Sequence, residues 1–475
     1  MNREVSVHHK NENIANPKAW SGKKVVVVGL GKTGRALVRF FKENGAQVIV
    51  SDNGLSDQLK EGIDEIRELG CELELGRHTL NTFLETDCVV VSPGVPLDIP
   101  ELVAAREKGI PVIGELEVAA PLAISPIIAI SGTNGKTTTT ELVSQMFKAG
   151  GKRVFTGGNI GNPFIEFVAH PKKVDFIILE VSSFQLDTAP GFHPHIAVLL
   201  NVTQDHLDRY PSFDQYKQSK LSIFRNQSHS DFAVINGDDP QLSRDFGFAA
   251  RTFFFSLRNS SANAFPDDGQ KRIICQGITL RNRDGKTGEK GVSFNFQSTR
   301  LVGAHNLENM LAASLVAYCC GIKSTAIQGT INHFPGLPHR LQFVREWKKV
   351  KFYNDSKGTN VGAVMRALES FSKPVVLLAG GRDKKGSYEP LIPLIKKQVK
   401  ALILFGESRN RIANCLGDFT NTWLVEGLEQ ALNVAAYICK PGDVVLLSPA
   451  CASFDQYKDY KERGEHFEKL VKALV

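Results

Sequence analysis

The sequence predicts an α/β protein with mainly parallel sheets, divided into three domains. Three observations carry this reading. Short β-branched runs recur along the chain and end in polar residues, as strands buried on both faces do. Helical stretches fill the gaps between them, giving repeated β-α-β units. The length of 475 residues is enough for about three domains.

The first domain is placed at residues 21–115. Its opening strand is the Val25-Val26-Val27-Val28 run, which leads into Gly29-Leu30-Gly31-Lys32-Thr33-Gly34. A helix is predicted over 35–44, stopped by Gly45, then a strand over 47–51 ending at Asp52. Apolar runs at 88–91 and 111–113 add two more strands, the former ending in Ser92-Pro93-Gly94. The second domain is placed at 116–336. Its first strand, 127–130, runs into Ser131-Gly132-Thr133-Asn134-Gly135-Lys136-Thr137-Thr138, followed by a helix over 137–149. Further strands are predicted at 176–179, 196–201 and 232–236. A small antiparallel addition is expected within 251–300, then a helix over 305–320. Phe334-Pro335-Gly336-Leu337-Pro338 breaks both helix and strand and reads as a linker. The third domain, 337–475, has predicted strands at 351–353, 374–378, 401–405 and 443–447, with helices over 362–370 and 427–439.

Composition narrows the class of function. Hydrophobic residues are 42% and charged residues 23%, which excludes disorder over most of the chain. Lys plus Arg is 57 and Asp plus Glu is 50, a net charge of +7, and no basic block resembles a nucleic-acid tail. The excess reads as a solvated basic surface or as basic clefts that draw in an anionic substrate. None of the 8 Cys forms a CxxC pair, which argues against a metal–thiolate site and fits a reducing compartment. No apolar run approaches the ~20 residues that span a bilayer. Residues 1–20 lack the apolar core of a secretory signal and read as a flexible extension. A cytoplasmic monomer is expected, without membrane insertion or nucleic-acid binding.

The glycines at 29, 31 and 34 follow a strand and precede a helix, the context of a dinucleotide fingerprint. An NAD site, a site for another nucleotide diphosphate such as a UDP-sugar, and a ligand-free tight turn all fit. Gly132 to Thr138 is sharper. Backbone N–H groups and Lys136 converge where β- and γ-phosphates would lie, and the Thr137 hydroxyl suits Mg2+. The loop is shorter than a standard P-loop, whose first Gly falls on Ile130. A chance Lys on a Gly-rich turn is the competing reading. Glu180 ends a strand near this loop and is placed to bind Mg2+. His206, in the polar run after the next strand, is a metal ligand, a substrate contact or a structural hydrogen-bonder. Lys220 is not singled out by its surroundings. In the third domain Arg340 follows the linker and Asp355 ends a strand, so both can grip a nucleotide across a cleft. The 380–385 and 448–455 clusters also follow strands.

Gly132-Thr-Asn-Gly-Lys-Thr-Thr138, the Glu180 segment, 201–208, 305–309, Leu337-Pro-His-Arg340 and Asp355-Ser-Lys-Gly-Thr-Asn360 together resemble the Mur ligase family. The resemblance covers nearly the whole chain after residue 20. It implies a Rossmann-like N-terminal domain, a central ATPase-like domain and a C-terminal Rossmann-like domain. It implies ATP-dependent amide formation in cell-wall synthesis, with UDP-N-acetylmuramoyl-L-alanine and D-glutamate as substrates and Mg2+, in one or two copies, as cofactor. The ATP-binding positions it implies are Gly132, Thr133, Asn134, Gly135, Lys136, Thr137, Thr138, Asn309, Arg340, Asp355 and Lys357. Gly31, Lys32, Thr33, Asp52, Asn159 and His206 match UDP-substrate positions, which turns the glycine fingerprint away from NAD. Thr359, Lys384, Ser453 and Tyr460 match positions that seat D-glutamate, Tyr460 as an aromatic substitution. Thr137, Glu180, His206 and Lys220 match the metal site, and Lys136, Glu180, His206 and Lys220 the catalytic set. The family's carbamylated lysine maps onto Lys220. A bare ammonium repels Mg2+, whereas a carbamate offers it an anionic oxygen. Another ligase of the family, a folylpolyglutamate-synthetase-like ligase and a non-catalytic relative remain as alternatives.

Overall fold

The computed structural model describes residues 16–55, 60–206, 209–243, 246–278, 291–383 and 386–474. Residues 1–15, most of the expected extension, lie outside these. The rest of that extension departs from expectation. Pro17–Trp20 forms a helical turn, and the Trp20 ring meets Phe41 edge-on at 4.8 Å in the core. An indole buries too much apolar area to stay in a solvated arm.

The first sheet holds β1 (Lys24–Val28), β2 (Gln47–Asp52), β3 (Glu72–Leu75), β4 (Cys88–Val91) and β5 (Val112–Gly114). The order is β3-β2-β1-β4-β5, all parallel. Both faces of β1 are covered. Val25 and Val27 join Phe40 and Phe41 from the Lys32–Glu43 helix, while Val26 and Val28 join Phe83 and Leu102. Strand order reverses beside β1, so its C-terminal end opens a crevice where the glycine loop lies.

The second sheet contains β6 (Ile127–Ser131), β7 (Val154–Gly158), β8 (Phe176–Glu180), β9 (Ile196–Leu199), β10 (Phe232–Asn236), β11 (Arg251–Phe255), β12 (Ala264–Asp267), β13 (Arg272–Gln276) and β14 (Gly291–Asn295). Its order is β14-β13-β12-β11-β10-β9-β6-β8-β7. The expected antiparallel addition is only partly so. β12, β13 and β14 pair antiparallel, but β11 pairs parallel with β10 and extends the main sheet. Its Arg-Thr-Phe-Phe-Phe run reads as alternation only when its neighbours are unknown. β7, with two glycines, and β3, an edge strand of alternating Glu and Leu, carry weak strand signals and were not expected.

The third sheet comprises β15 (Gln342–Trp347), β16 (Val350–Asn354), β17 (Val375–Gly380), β18 (Val399–Phe405), β19 (Asn421–Leu424) and β20 (Val444–Leu447), ordered β15-β16-β20-β17-β18-β19. Only β15 runs antiparallel to its neighbour. The hydrophobic cores are unequally shared. One cluster runs without a break from Val25 and Phe41 of the first domain to Ala129 and Ile177 of the second. The third sheet has its own clusters on its two faces.

Candidate functional site

The loop between β6 and the Lys136–Ala149 helix wraps a point at the helix N-terminus, where N–H groups without intrahelical partners attract an anion. Gly135 has φ +88, and a Cβ there would stand 2.4 Å from Asn309 Oδ1. The turn therefore needs glycine, and it sets the loop against the Ala304–Cys319 helix. Asn201 braces it from β9's end, accepting from the Asn134 N–H at 2.8 Å and donating to the Asn134 carbonyl at 3.0 Å. Thr139 Oγ1 donates to Asn309 Oδ1 at 3.2 Å.

The third domain completes this pocket. Asn134, Gly135, Thr138 and Asn309 line it from one side, Arg340, Asp355 and Lys357 from the other. Arg340 Nη2 donates to Thr137 Oγ1 at 2.6 Å across the domain boundary. His339 (φ 62) and Leu341 (φ 42) flank Arg340 in left-handed backbone, a strain concentrated where the chain crosses between domains. Asp355 is buried and accepts from Ser448 Oγ at 2.7 Å and from Leu341 N–H at 3.2 Å. Burial pushes its carboxyl up to about 7. Lys357 Nζ lies 3.8 Å from the Tyr460 ring centroid, a cation–π contact. His305 and Asn306, within the 305–309 segment that carries the resemblance but given no site role there, also line the pocket.

Lys136 and Lys220 share one acceptor. Their ammonium nitrogens lie 2.8 and 3.0 Å from the Gly132 carbonyl oxygen. Lys220 is 2% exposed, with Nζ 4.6 Å from the Tyr216 ring centroid. Burial first, and the Lys136 charge second, hold its pKa well below the ordinary lysine value. Glu180 is equally buried. Its Oε1 accepts from Asn159 Nδ2 at 2.7 Å, and its Oε2 has no hydrogen-bond partner. An orphaned carboxylate oxygen beside a phosphate loop fits Mg2+, since a buried anion needs a cation or donors. Among the described residues, however, no three His, Cys, Asp or Glu side chains converge on one metal point.

Gly31, Lys32, Thr33, Asp52 and Asn159 line one cavity of about 600 Å3 between the first and second sheets. At Gly34 a Cβ would stand 1.9 Å from the Gly29 carbonyl oxygen, so only glycine lets the helix approach β1. Asp52 accepts from Leu30 N–H at 2.6 Å and from Gly54 N–H at 2.7 Å, which fixes the glycine loop. Lys32 Nζ donates to the Gly161 carbonyl at 2.7 Å and ties the two domains. Asn159 lines this cavity and also holds Glu180, which pairs with Ile130 of β6 just before the phosphate loop.

His206 does not line that cavity. With Asp205, Asn360 and Asp383 it lines a separate one of about 270 Å3 between the second and third domains. Asn360 Nδ2 donates to Asp205 Oδ2 at 2.8 Å. Thr359, next in sequence to Asn360, and the buried Ser453 do not line it. Tyr460 lies against Lys357 and His339. Lys384 lies outside the described residues.

Arg463 also escaped the sequence reading. It is wholly buried, donating through Nε to Ser356 Oγ at 3.0 Å and through Nη2 to the Ser356 carbonyl at 2.8 Å. Nη1 and Nη2 each reach the Cys451 carbonyl at 3.3 Å, and Nη1 the Ala452 carbonyl at 3.3 Å. The guanidinium thus clamps the 355–360 and 448–455 loops, and burial lowers its pKa to about 10. The signal was present. Arg463 occupies the same helical stripe as buried Phe467 and Val471.

Two nucleotide-type crevices and a third α/β domain bearing on the phosphate loop define a three-domain ligase architecture, and the chain belongs to the Mur ligase family. Family models match in order: the MurD-like N-terminal domain at 23–114, the Mur ligase middle domain at 130–317, and the Mur ligase glutamate ligase domain at 339–451. The chain is similar to UDP-N-acetylmuramoylalanine--D-glutamate ligase of Geotalea daltonii, 46% identical over 96% of this chain and 98% of that one. The same enzyme of Geotalea uraniireducens is 45% identical over 95% and 98%. Among solved structures, MurF ligase from Thermotoga maritima in complex with ADP has a TM-score of 0.59 at 19% identity, covering 97% of this chain and 98% of that one. UDP-N-acetylmuramate-alanine ligase from the same organism has a TM-score of 0.57 at 18% identity, covering 95% and 99%. These two likenesses concern the fold.

Proposed function

We propose that the chain joins D-glutamate to UDP-N-acetylmuramoyl-L-alanine at the expense of ATP, in peptidoglycan precursor synthesis in the cytoplasm. The observation that carries this reading is the Asn159–Glu180 hydrogen bond. It joins the first-domain cavity to the edge of the phosphate loop, so a substrate held by its nucleotide end can bring its far end to ATP. The names of the relatives support the choice of D-glutamate. Among the described residues no helix is long and apolar enough to cross a membrane.

The L-alanine carboxylate oxygen attacks the γ-phosphorus of ATP, and ADP leaves. This makes an acyl phosphate, because a bare carboxylate is a poor electrophile for an amine. The D-glutamate amine attacks the acyl carbon, loses a proton, and phosphate departs. Lys136 would neutralise charge on the moving phosphoryl group, with Arg340 nearby. Mg2+ would supply further neutralisation, and Thr137, Glu180, His206 and a carbamylated Lys220 are the residues that would hold it. His206 and Asp205 face the third domain, where Thr359, Lys384 and Ser453 would orient the incoming amino acid. Asn309, Asp355 and Lys357 would hold the nucleotide, and Gly31, Lys32 and Thr33 the UDP diphosphate. Closure of the third domain would exclude water from the acyl phosphate.

Lys220 is the residue we propose to be carbamylated. A neutral, buried amine is the form that adds CO2, releasing one proton and leaving an anionic carbamate. The function is tested by phosphate release from ATP, measured with UDP-N-acetylmuramoyl-L-alanine and each candidate amino acid. Release dependent on D-glutamate and absent in Lys136→Ala supports it. Release indifferent to the amino acid, or undiminished in that variant, overturns it. Carbamylation is tested by 13C NMR of protein equilibrated with labelled bicarbonate, whose carbamate signal should vanish in Lys220→Ala.

A further inference from the structure

The 92–96 loop is a partition between two cavities. Ser92, Pro93, Val95 and Pro96 line the cavity of about 600 Å3 on one side and a second of about 590 Å3 on the other. Ser92 Oγ ties its start to the Gly29 carbonyl at 2.9 Å. Its far half is held from another domain. Arg209 Nη1 donates to the Gly94 carbonyl at 2.9 Å, and Nη2 to the Val95 carbonyl at 2.8 Å. Two successive carbonyls caught by one fork is a geometry that Arg matches and Lys does not.

Arg209 is also built into the segment that carries His206. Its N–H donates to the His206 carbonyl at 2.9 Å, as does that of Tyr210 at 3.1 Å. These bonds close a turn in which His206 takes φ 57. The Arg209 guanidinium lies 4.6 Å from the Phe184 ring centroid, and the same ring meets His206 edge-on at 4.9 Å. Phe184 also stacks with Tyr210 at 5.8 Å. One side chain thus touches the wall of the UDP-sugar cavity and, through one ring, the His206 imidazole.

We propose that Arg209 is a positioning residue that couples occupancy of the UDP-sugar cavity to the placement of His206. A sugar resting on the 92–96 loop fixes Gly94 and Val95, these fix the Arg209 fork, and the fork sets the Phe184 ring against His206. The proposal rests on the reading of that cavity as the UDP-substrate site.

The test uses Arg209→Met, Arg209→Lys and Phe184→Leu in the full chain. Calorimetry with UDP-N-acetylmuramoyl-L-alanine on the unaltered protein comes first. No binding there overturns the reading of the cavity, independently of Arg209. Given binding, Arg209→Met should weaken it at least tenfold and lower kcat, while the KM for ATP stays within twofold. Arg209→Lys should recover little, and added ethylguanidine should restore much of the loss in Arg209→Met. Phe184→Leu, which keeps the fork, should bind the UDP-sugar within twofold yet lose at least tenfold in kcat. Unchanged affinity and kcat in Arg209→Met overturn the proposal. So does an equal loss of ATP and UDP-sugar affinity, which marks general damage.

Discussion

Replacing Arg463 by Met removes a wholly buried cation, and the third domain should lose much of its order. The guanidinium makes five hydrogen bonds to four acceptor atoms, all in two loops. At about 1.5–3 kcal/mol for each bond from a charged donor, the gross loss is on the order of 10 kcal/mol. Removing the charge also removes its desolvation, a penalty of several kcal/mol. The net expectation is about 3–5 kcal/mol, comparable to breaking a buried ion pair. The assay is urea unfolding followed by tryptophan fluorescence, since Trp347 and Trp423 pack in the third domain and Trp20 in the first. With a slope of about 2 kcal/mol per molar, the third-domain midpoint should fall by roughly 1.5–2.5 M. The KM for D-glutamate should rise in parallel, because Ser453 follows the clamped carbonyls. A midpoint moved by less than about 0.5 M would refute the clamp, for the buried Ser356 and Cys451 carbonyls cannot lose the Arg463 donors at so small a cost.

Gly34→Ala should abolish UDP-sugar binding, because its Cβ collides with the Gly29 carbonyl, while ADP binding measured by calorimetry persists. Glu180→Gln should raise the Mg2+ concentration for half-maximal turnover at least tenfold, read from an Mg2+ titration of phosphate release. Asp355 and Glu115 both carry carboxyls raised to about 7 by burial. The folded chain therefore holds their protons longer than the unfolded chain. Their stabilising contribution is full below pH ~4 and is lost as pH rises toward 7. Asp355→Asn should flatten that slope in unfolding midpoints taken between these limits without ligand.

The legible parts of the site were those at strand ends. Asp52, Glu180 and the 132–138 loop each follow an apolar run whose burial on two faces leaves its last residues at a sheet edge. The illegible parts depend on docking. Lys220 lies in a polar helix, Phe213–Leu221, and only the approach of the Gly132 carbonyl and Tyr216 shows it to be buried. Arg209 acts 114 and 115 residues away in sequence, across a domain boundary. β11 misled for a related reason. Its Phe residues pack between neighbours that local alternation cannot name. Trp20 was lost to the polarity of the residues before it.

The uneven sharing of apolar cores sets what can move. The first two sheets are welded by one continuous cluster, so separating them exposes hydrocarbon to water. The third domain meets them through named polar contacts: Arg340 on Thr137, Asn360 on Asp205, and Arg366 on Glu308 at 2.6 Å. Such contacts are exchanged for water at little net free energy. Amide hydrogen exchange should then report two foldons. Strands β1 and β6 would share one opening free energy, while β17 and β20 open independently. The molecule is in this sense a rigid jig with a hinged press.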